Sequence, residues 1–455
     1  MMNNEENNIM GTLPIPKVLL KMGIPMVVSM MIQALYNIVD SAFISNMAGD
    51  GENALNALTL AFPVQMLMVA IGIGTGVGAG ALLSLNLGMG NRSKVNKVVG
   101  NTNFLCAIIY LVYLLFGLFG VGAYISSQTD NPVIGQMAVD YLRICCCMSM
   151  GIVFFSGYEK MLQATGRSIY STVAQVAGAL TNIVLDPILI YGLLGVPRMG
   201  VKGAAYATVI GQIVSLVLAF IFHLKKNVEI ENSISYMKPS ASVIREIYSI
   251  GLPAIIAQAL MSVMTYALNI ILGKIGENTV TAYGLFYKIQ QFILFAAFGM
   301  RDAITPVISY NYGRGEKSRV FAGMKWGLIY SCGIMFLGMV ILEVFASPIS
   351  AVFGLSGATN ELCITAMRII SLSFVFAGAN VAFQGIYQAL DSGMESLLIS
   401  LFRQFLFVVP VAYVLAIPAM ADPSKTWLVW LTFPFAELVS MLIGIGLLKR
   451  VIKKL

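Results

Sequence analysis

The sequence predicts an all-α integral membrane protein of twelve transmembrane helices in two six-helix lobes related by a pseudo-two-fold axis. Three observations carry that prediction. The 455 residues are 58% hydrophobic and 11% charged, with a mean hydropathy of +0.83, far from the soluble norm. The apolar residues fall in repeated runs of about 20, the length a helix needs to cross the hydrocarbon core. The second half of the chain repeats the first: a constant shift of 225 residues lays Gln65, Gly74, Ser84, Asn86, Gly88, Gly90, Ser93 and Val95 onto Gln290, Gly299, Ser309, Asn311, Gly313, Gly315, Ser318 and Val320. The same shift maps Arg143-Ile144 onto Arg368-Ile369 and Gln163-Ala164 onto Gln388-Ala389.

Breaks at charge clusters and Gly/Pro/Asn turns place the helices at 17–45, 54–87, 100–125, 134–161, 170–194, 201–224, 242–273, 280–311, 321–346, 361–387, 396–418 and 426–448. Several exceed the minimum span and should tilt, kink or project beyond the bilayer. The expected domains are an N-lobe over 1–224, a polar linker over 225–241 with Lys225-Lys226, Glu229, Glu231 and Pro239, and a C-lobe over 242–455. Six helices repeating in parallel place the relating axis along the membrane normal, an arrangement of transporters. The Asn/Glu-rich start, Met1 to Met10, has no basic region ahead of a cleavable apolar core, so the first helix is expected to insert directly.

The net charge of +7 raises the question of a nucleic-acid partner, and the distribution of the charge argues against one. With the N-terminus inside, Lys17, Lys21, Arg92, Lys94, Lys97, Lys160, Arg167, the linker lysines, the Arg314–Lys325 cluster and the C-terminal basic residues are all cytoplasmic. The outer loops hold only Arg198, Lys202, Lys274 and Lys425. This asymmetry orients the chain with both termini in the cytoplasm. Cys145-Cys146-Cys147 cannot converge on one metal from adjacent helical positions and read as apolar filler. His223 is the single histidine, which excludes a multi-histidine metal centre. No nucleophile–base or metal constellation is evident, so an enzyme is not expected. No ATP-binding domain is evident either, so a gradient must supply the energy.

The chemistry concentrates in Thr181-Asn182-Ile183-Val184-Leu185-Asp186-Pro187. Asn182 and Asp186 share one helical face, and Pro187 cannot donate to the carbonyl of Ile183, which leaves that oxygen free at a bend point for the helix. A second acid, Asp40, comes one turn beyond Tyr36 and Asn37. Asp40 and Asp186 both lie about three-quarters of the way along helices running outward, so they can share a depth. Charges inside membrane spans are functional candidates by default, and two facing carboxylates would share a proton or hold a cation. Capping of a helix near the outer interface is the structural alternative for each.

Gly72, Gly74, Gly76, Gly78 and Gly80 resemble a phosphate loop only superficially, since no strand precedes them. On a helix Gly72/Gly76/Gly80 form a stripe for close packing, with a hinge as the alternative. Arg301-Asp302 lies mid-helix as either a cavity-lining or a structural pair. Arg143, Lys288, Arg368, Arg403, Glu159, Glu343 and Glu437 are harder to place, and snorkelling to an interface is an option for several. Twenty-seven methionines and 10% aromatics suit an adaptable wall with ring faces for cations, apolar core being the default for any one of them.

Taken together, Leu35-Tyr-Asn-Ile-Val-Asp40, Ala61-Phe-Pro-Val-Gln65, the glycine run, Leu87-Gly-Met-Gly-Asn-Arg92, Asn182-Ile-Val-Leu-Asp-Pro187 and Gly203-Ala-Ala-Tyr-Ala-Thr208 resemble the multidrug and toxic compound extrusion (MATE) family, and within it the DinF-like branch. The resemblance implies Asp40, Asn182, Asp186, Tyr141 and Thr208 as the H+ or Na+ coupling cluster. It further implies Pro25 as the bend in the first helix, with Gln33, Met30, Tyr36 and Asn37 toward the substrate cavity. The other major branch uses acids in helices 7 and 10. Here Ala257–Met261 and Asn380–Gln384 carry none, which leaves coupling to the N-lobe. The expectation is a monomeric plasma-membrane antiporter without cofactor, taking cationic amphipathic drugs from the cell or bilayer. The alternative is a flippase for a lipid-linked saccharide or similar lipid.

Overall fold

The computed structural model describes residues 8–47, 49, 51–352 and 357–453. Among these, ten helices are long and apolar enough to cross a membrane, and two bent helix pairs bring the spans to twelve. They are α1 (Ile15–Ser45), α2 (Gly51–Gly88), α3 (Arg92–Leu115, running on through a π-helical turn), the pair α4 (Pro132–Cys147 with Met150–Ala164), α5 (Ser168–Tyr191) and α6 (Val201–Lys226). The second set is α7 (Ala241–Gly273), α8 (Glu277–Gly313), α9 (Lys317–Val352), the pair α10 (Gly357–Ser371 with Phe374–Ala389), α11 (Gly393–Leu401, then a π-helical turn and Val408–Ala421) and α12 (Thr432–Ile452, after a short turn). No strand occurs among the described residues.

Local chemistry sets the ends. Asn131 caps α4 by accepting from the amides of Val133 and Ile134, with Pro132 at the first helical position. Gly192 closes α5 at a φ of 77°, a left-handed conformation that glycine adopts without strain. The sequence reads 134–161 and 361–387 as single helices, but the chain bends there by 45° and 54°. Both breaks lie beside a serine, Ser149 and Ser373. No proline marks either break.

The internal repeat extends to individual hydrogen bonds. Ser84 Oγ donates to the Ala164 carbonyl at 2.8 Å, and Ser309 Oγ to that of Ala389 at 2.9 Å. Asn86 Nδ2 donates to Leu82 at 2.7 Å, and Asn311 Nδ2 to Val307 at 2.8 Å. Each pair is displaced by the same 225 residues found in the sequence.

The chain forms two compact units. Unit 1 takes residues through Thr12 and Val28–Ile255; unit 2 takes Leu13–Val27 and Ile256–Leu455. The changeover therefore falls inside α1 and α7 and not at the polar connector. That connector is fastened to unit 1: Asn101 Oδ1 accepts from the Ser240 amide at 2.8 Å, Asn96 Oδ1 from Glu231 at 2.9 Å, and Arg167 pairs with Glu229 at 2.7 Å. His223 is buried beneath it between Asn227 and Asn232, at 3.0 and 2.9 Å.

The alternating glycines serve two neighbours at once. A Cβ on Gly76 would come within 2.8 Å of Lys160 Cγ and one on Gly72 within 3.3 Å of Ser156 Oγ, so the Gly72/Gly76/Gly80 face seats α4. Gly74 and Gly78 meet Gly251, Ile255 and Ile247 of α7. In unit 2, Gly299, the repeat partner of Gly74, takes the backbone of Val27 in the same way, at 2.6 Å.

Candidate functional site

Helix packing in unit 1 brings the sequence-predicted acids together. Gly178 of α5 and Gly211 of α6 let the two backbones approach until a side chain on either would strike the opposite helix. That contact seats Asn182 against Thr208, with Asn182 Nδ2 3.4 Å from Thr208 Oγ1 and 3.4 Å from Asp186 Oδ1. Asp186 is fully buried, and Asn182 is 3% exposed. From α1, the Asp40 carboxyl comes within hydrogen-bonding reach of Asp186. Tyr36 and Tyr141 stand within electrostatic range of Asp40.

Three oxygens in this cluster are buried and lack a hydrogen-bond partner: Asp40 Oδ1, Asn182 Oδ1 and Asp186 Oδ2. Buried acceptors without donors are costly, roughly 1–3 kcal/mol each and more when charged. A proton or a hard cation placed among them removes that cost, and oxygen donors of this kind suit either. Among the described residues no three His, Cys, Asp or Glu side chains converge, which sets this donor set apart from a transition-metal centre.

The cluster opens onto a cavity within unit 1. Asn182 and Thr208 belong to its lining together with Met30, Gln33 and Tyr36 from α1. Val69, Ile73, Ile152 and Phe155 supply apolar wall, and Gln175, Gln212 and Ser215 supply further polar groups. Asn37 is exposed and stands outside this lining, because one residue beyond Tyr36 turns the side chain by about 100° around the helix. Pro25 and Pro187 both lie inside uninterrupted helices.

Several residues of this region escape sequence reasoning. Gln65, visible in the sequence only as part of the repeat, donates to the Tyr141 hydroxyl at 3.3 Å and reaches Cys145 Sγ at 3.6 Å. It thereby fixes the ring of one cluster member. Lys160, which charge counting groups with the cytoplasmic residues, is 5% exposed and lines the cavity beside Glu159. The glycines that admit its stem are the signal that could reveal it.

Unit 2 holds its charges differently. Arg403, on the π-helical turn of α11, donates through Nε and Nη2 to Glu437 at 3.0 and 2.7 Å, and Asn380 adds a bond at 2.7 Å. Arg301 donates twice to Asp302 Oδ1, at 3.0 and 2.9 Å, with its guanidinium 4.7 Å from the Phe298 ring centre. Snorkelling and cavity lining give way here to internal pairing.

The MatE family profile matches residues 25–188 and again 253–414, once in each repeat. The chain belongs to the MatE family. It is similar to the multidrug export protein MepA of Staphylococcus haemolyticus (strain JCSC1435), 25% identical over 412 residues that cover 88% of this chain and 86% of the relative. MepA of Staphylococcus aureus (strain MRSA252) is 25% identical over 408 residues, covering 88% and 87%. Among solved structures, an outward-facing multidrug resistance MATE family transporter of the MOP superfamily superposes with a TM-score of 0.89 at 24% identity, covering 96% of this chain and 97% of that one. A MATE in its bent conformation gives 0.88 at 24% identity, with 100% and 99% covered. MatE proteins are membrane transporters and not enzymes, and the twelve-helix, two-lobe fold is that of these structures.

Proposed function

We propose that the chain is a secondary-active exporter that moves amphipathic, mostly cationic small molecules out of the cell in exchange for H+ or Na+. The observation that carries the reading is the set of three unpartnered buried oxygens on Asp40, Asn182 and Asp186, placed where Asn182 also lines a cavity of mixed polar and apolar wall. The names of the staphylococcal relatives support export of several drugs. The protein then sits in the plasma membrane with both termini in the cytoplasm, as the basic residues of the loops indicate.

In this cycle the outward-open cavity admits an ion to the Asp40/Asp186 pair. Loading neutralises the pair and removes the negative charge that a cationic substrate senses through Asn182, Tyr36 and the cavity wall, so the substrate leaves. Release of the ion to the cytoplasm restores that charge for the next substrate. The two ligands compete through one electrostatic centre, and coupling of this kind is reciprocal. The first helix, which carries Met30, Gln33, Tyr36 and Asp40, responds by bending at Pro25, where the Lys21 carbonyl has no amide donor.

The deciding experiment is dye efflux from proteoliposomes under separately imposed pH and Na+ gradients. Efflux driven by one of them identifies the ion. Equal rates with and without both gradients would remove ion coupling from the reading. A lipid-linked saccharide flippase calls for several converging basic side chains; the cavity lining holds one, Lys160.

A further inference from the structure

Resting on the export reading above, we infer that Lys160 determines which molecules the cavity accepts, by offering a charged partner to a carboxylate or similar anionic oxygen on the substrate. A lysine buried to 5% exposure inside a membrane span is expensive unless something faces it. Its Nζ donates to Gln163 Oε1 at 3.0 Å, and Gln163 in turn donates to Glu159 Oε1 at 3.2 Å. Both Lys160 and Glu159 line the cavity. A substrate carboxylate that takes the place of the amide oxygen converts a neutral acceptor into a charge-assisted one, which is shorter and roughly twice as strong.

The seat is built for this side chain. Gly76 and Gly80 leave the room its stem occupies. In unit 2 the corresponding position is Gly385, and the cation at that crossing, Arg301, comes from the opposite helix and is held by Asp302. From Gln65, at the level of Tyr141, to Gly76, against Lys160, is about 16 Å along α2 at 1.5 Å per residue. The cavity thus has a carboxylate-dominated end and a cationic end, and it fits amphiphiles that carry opposite charges at their two ends.

Rhodamine B, a zwitterion with a free carboxylate, and its methyl ester, a cation, share one ring system and make the probe pair. Initial efflux rates of both are measured in proteoliposomes under the gradient that drives transport. Wild-type protein is expected to carry rhodamine B at least as efficiently as the ester. Lys160→Gln is expected to lower the ratio of kcat/KM for rhodamine B over the ester about tenfold, the factor one charge-assisted contact contributes, and Lys160→Arg to restore most of it. An unchanged ratio in Lys160→Gln, or a wild type that carries only the ester, overturns the inference and leaves the export reading standing. A wild type that moves neither dye under any gradient overturns the export reading itself. If Lys160→Gln moves neither dye, the ratio of their dissociation constants is measured by fluorescence polarisation on the detergent-solubilised protein. A tenfold fall in that ratio against wild type then supports the inference, and an unchanged ratio overturns it.

Discussion

In the first half of the chain Ser84 bonds to Ala164 and Asn86 to Leu82; in the second, Ser309 bonds to Ala389 and Asn311 to Val307. The contacts that hold helices at their crossings have been kept through the duplication. The charged chemistry has not. Displaced by 225 residues, Asp40 becomes Thr265, Asn182 becomes Phe407, Asp186 becomes Val411 and Thr208 becomes Phe433, and both phenylalanines pack in or against the apolar core of unit 2. One repeat keeps a pair of acids with unsatisfied oxygens; the other pairs each buried charge internally. Scaffold and ion chemistry therefore reside on different residues, and one half can carry function while the other carries only structure.

The sharpest break of that comparison is at the acids. Asp186→Asn and Asp40→Asn should each reduce gradient-driven efflux to background, a loss of about a hundredfold or more if the ion has lost its differential site, and flatten the pH or Na+ dependence of any residual rate. Protein level in the membrane should not change. Thr265→Val, at the position matching Asp40, removes only a bond to the Met261 carbonyl and should leave efflux within about twofold of wild type. A loss as deep as that of Asp40→Asn would mean that the halves share the coupling.

Next in size is the ion pair of unit 2. Glu437→Gln leaves Arg403 uncompensated in a buried site, and thermal unfolding in detergent should show a loss of roughly 3–5 kcal/mol, much of it recovered when Arg403 is replaced by methionine as well. A Glu437→Gln protein as stable as wild type would show that the pair is not structural. The smallest effect tests equivalence directly. Ser84→Ala and Ser309→Ala should each cost about 1 kcal/mol, the worth of one buried hydrogen bond. Clearly unequal shifts in Tm would show that the repeat is geometric without being energetic.

Much of this is legible in the sequence because the bilayer imposes length and apolarity on every span, and because an acid in such a span stands out. Asp40, Asn182 and Asp186 are visible for that reason. Their meeting with Thr208 depends on Gly178 and Gly211, whose close approach only the packed helices reveal. Gln65 is visible as a repeated residue but not as a partner of Tyr141, since the two are far apart in the chain. The same separation hides the Arg403–Glu437 pair. Lys160 is misplaced by charge counting, which sees a lysine near a helix end and not the glycines that draw it inward. The bends after Cys147 and Ser371 carry no proline, so composition does not announce them.

The exchange of first-helix segments between the compact units has a practical consequence for anyone dividing this gene. A cut at the connector would yield two fragments of nearly equal length, yet the N-terminal one would carry Leu13–Val27, which packs in the other unit, and the C-terminal one would carry the stretch through Ile255, which fills the glycine face of α2. Each product would lack part of its own interior and display a loose helix in its place. Neither should be recoverable alone, whereas co-expression should rescue both.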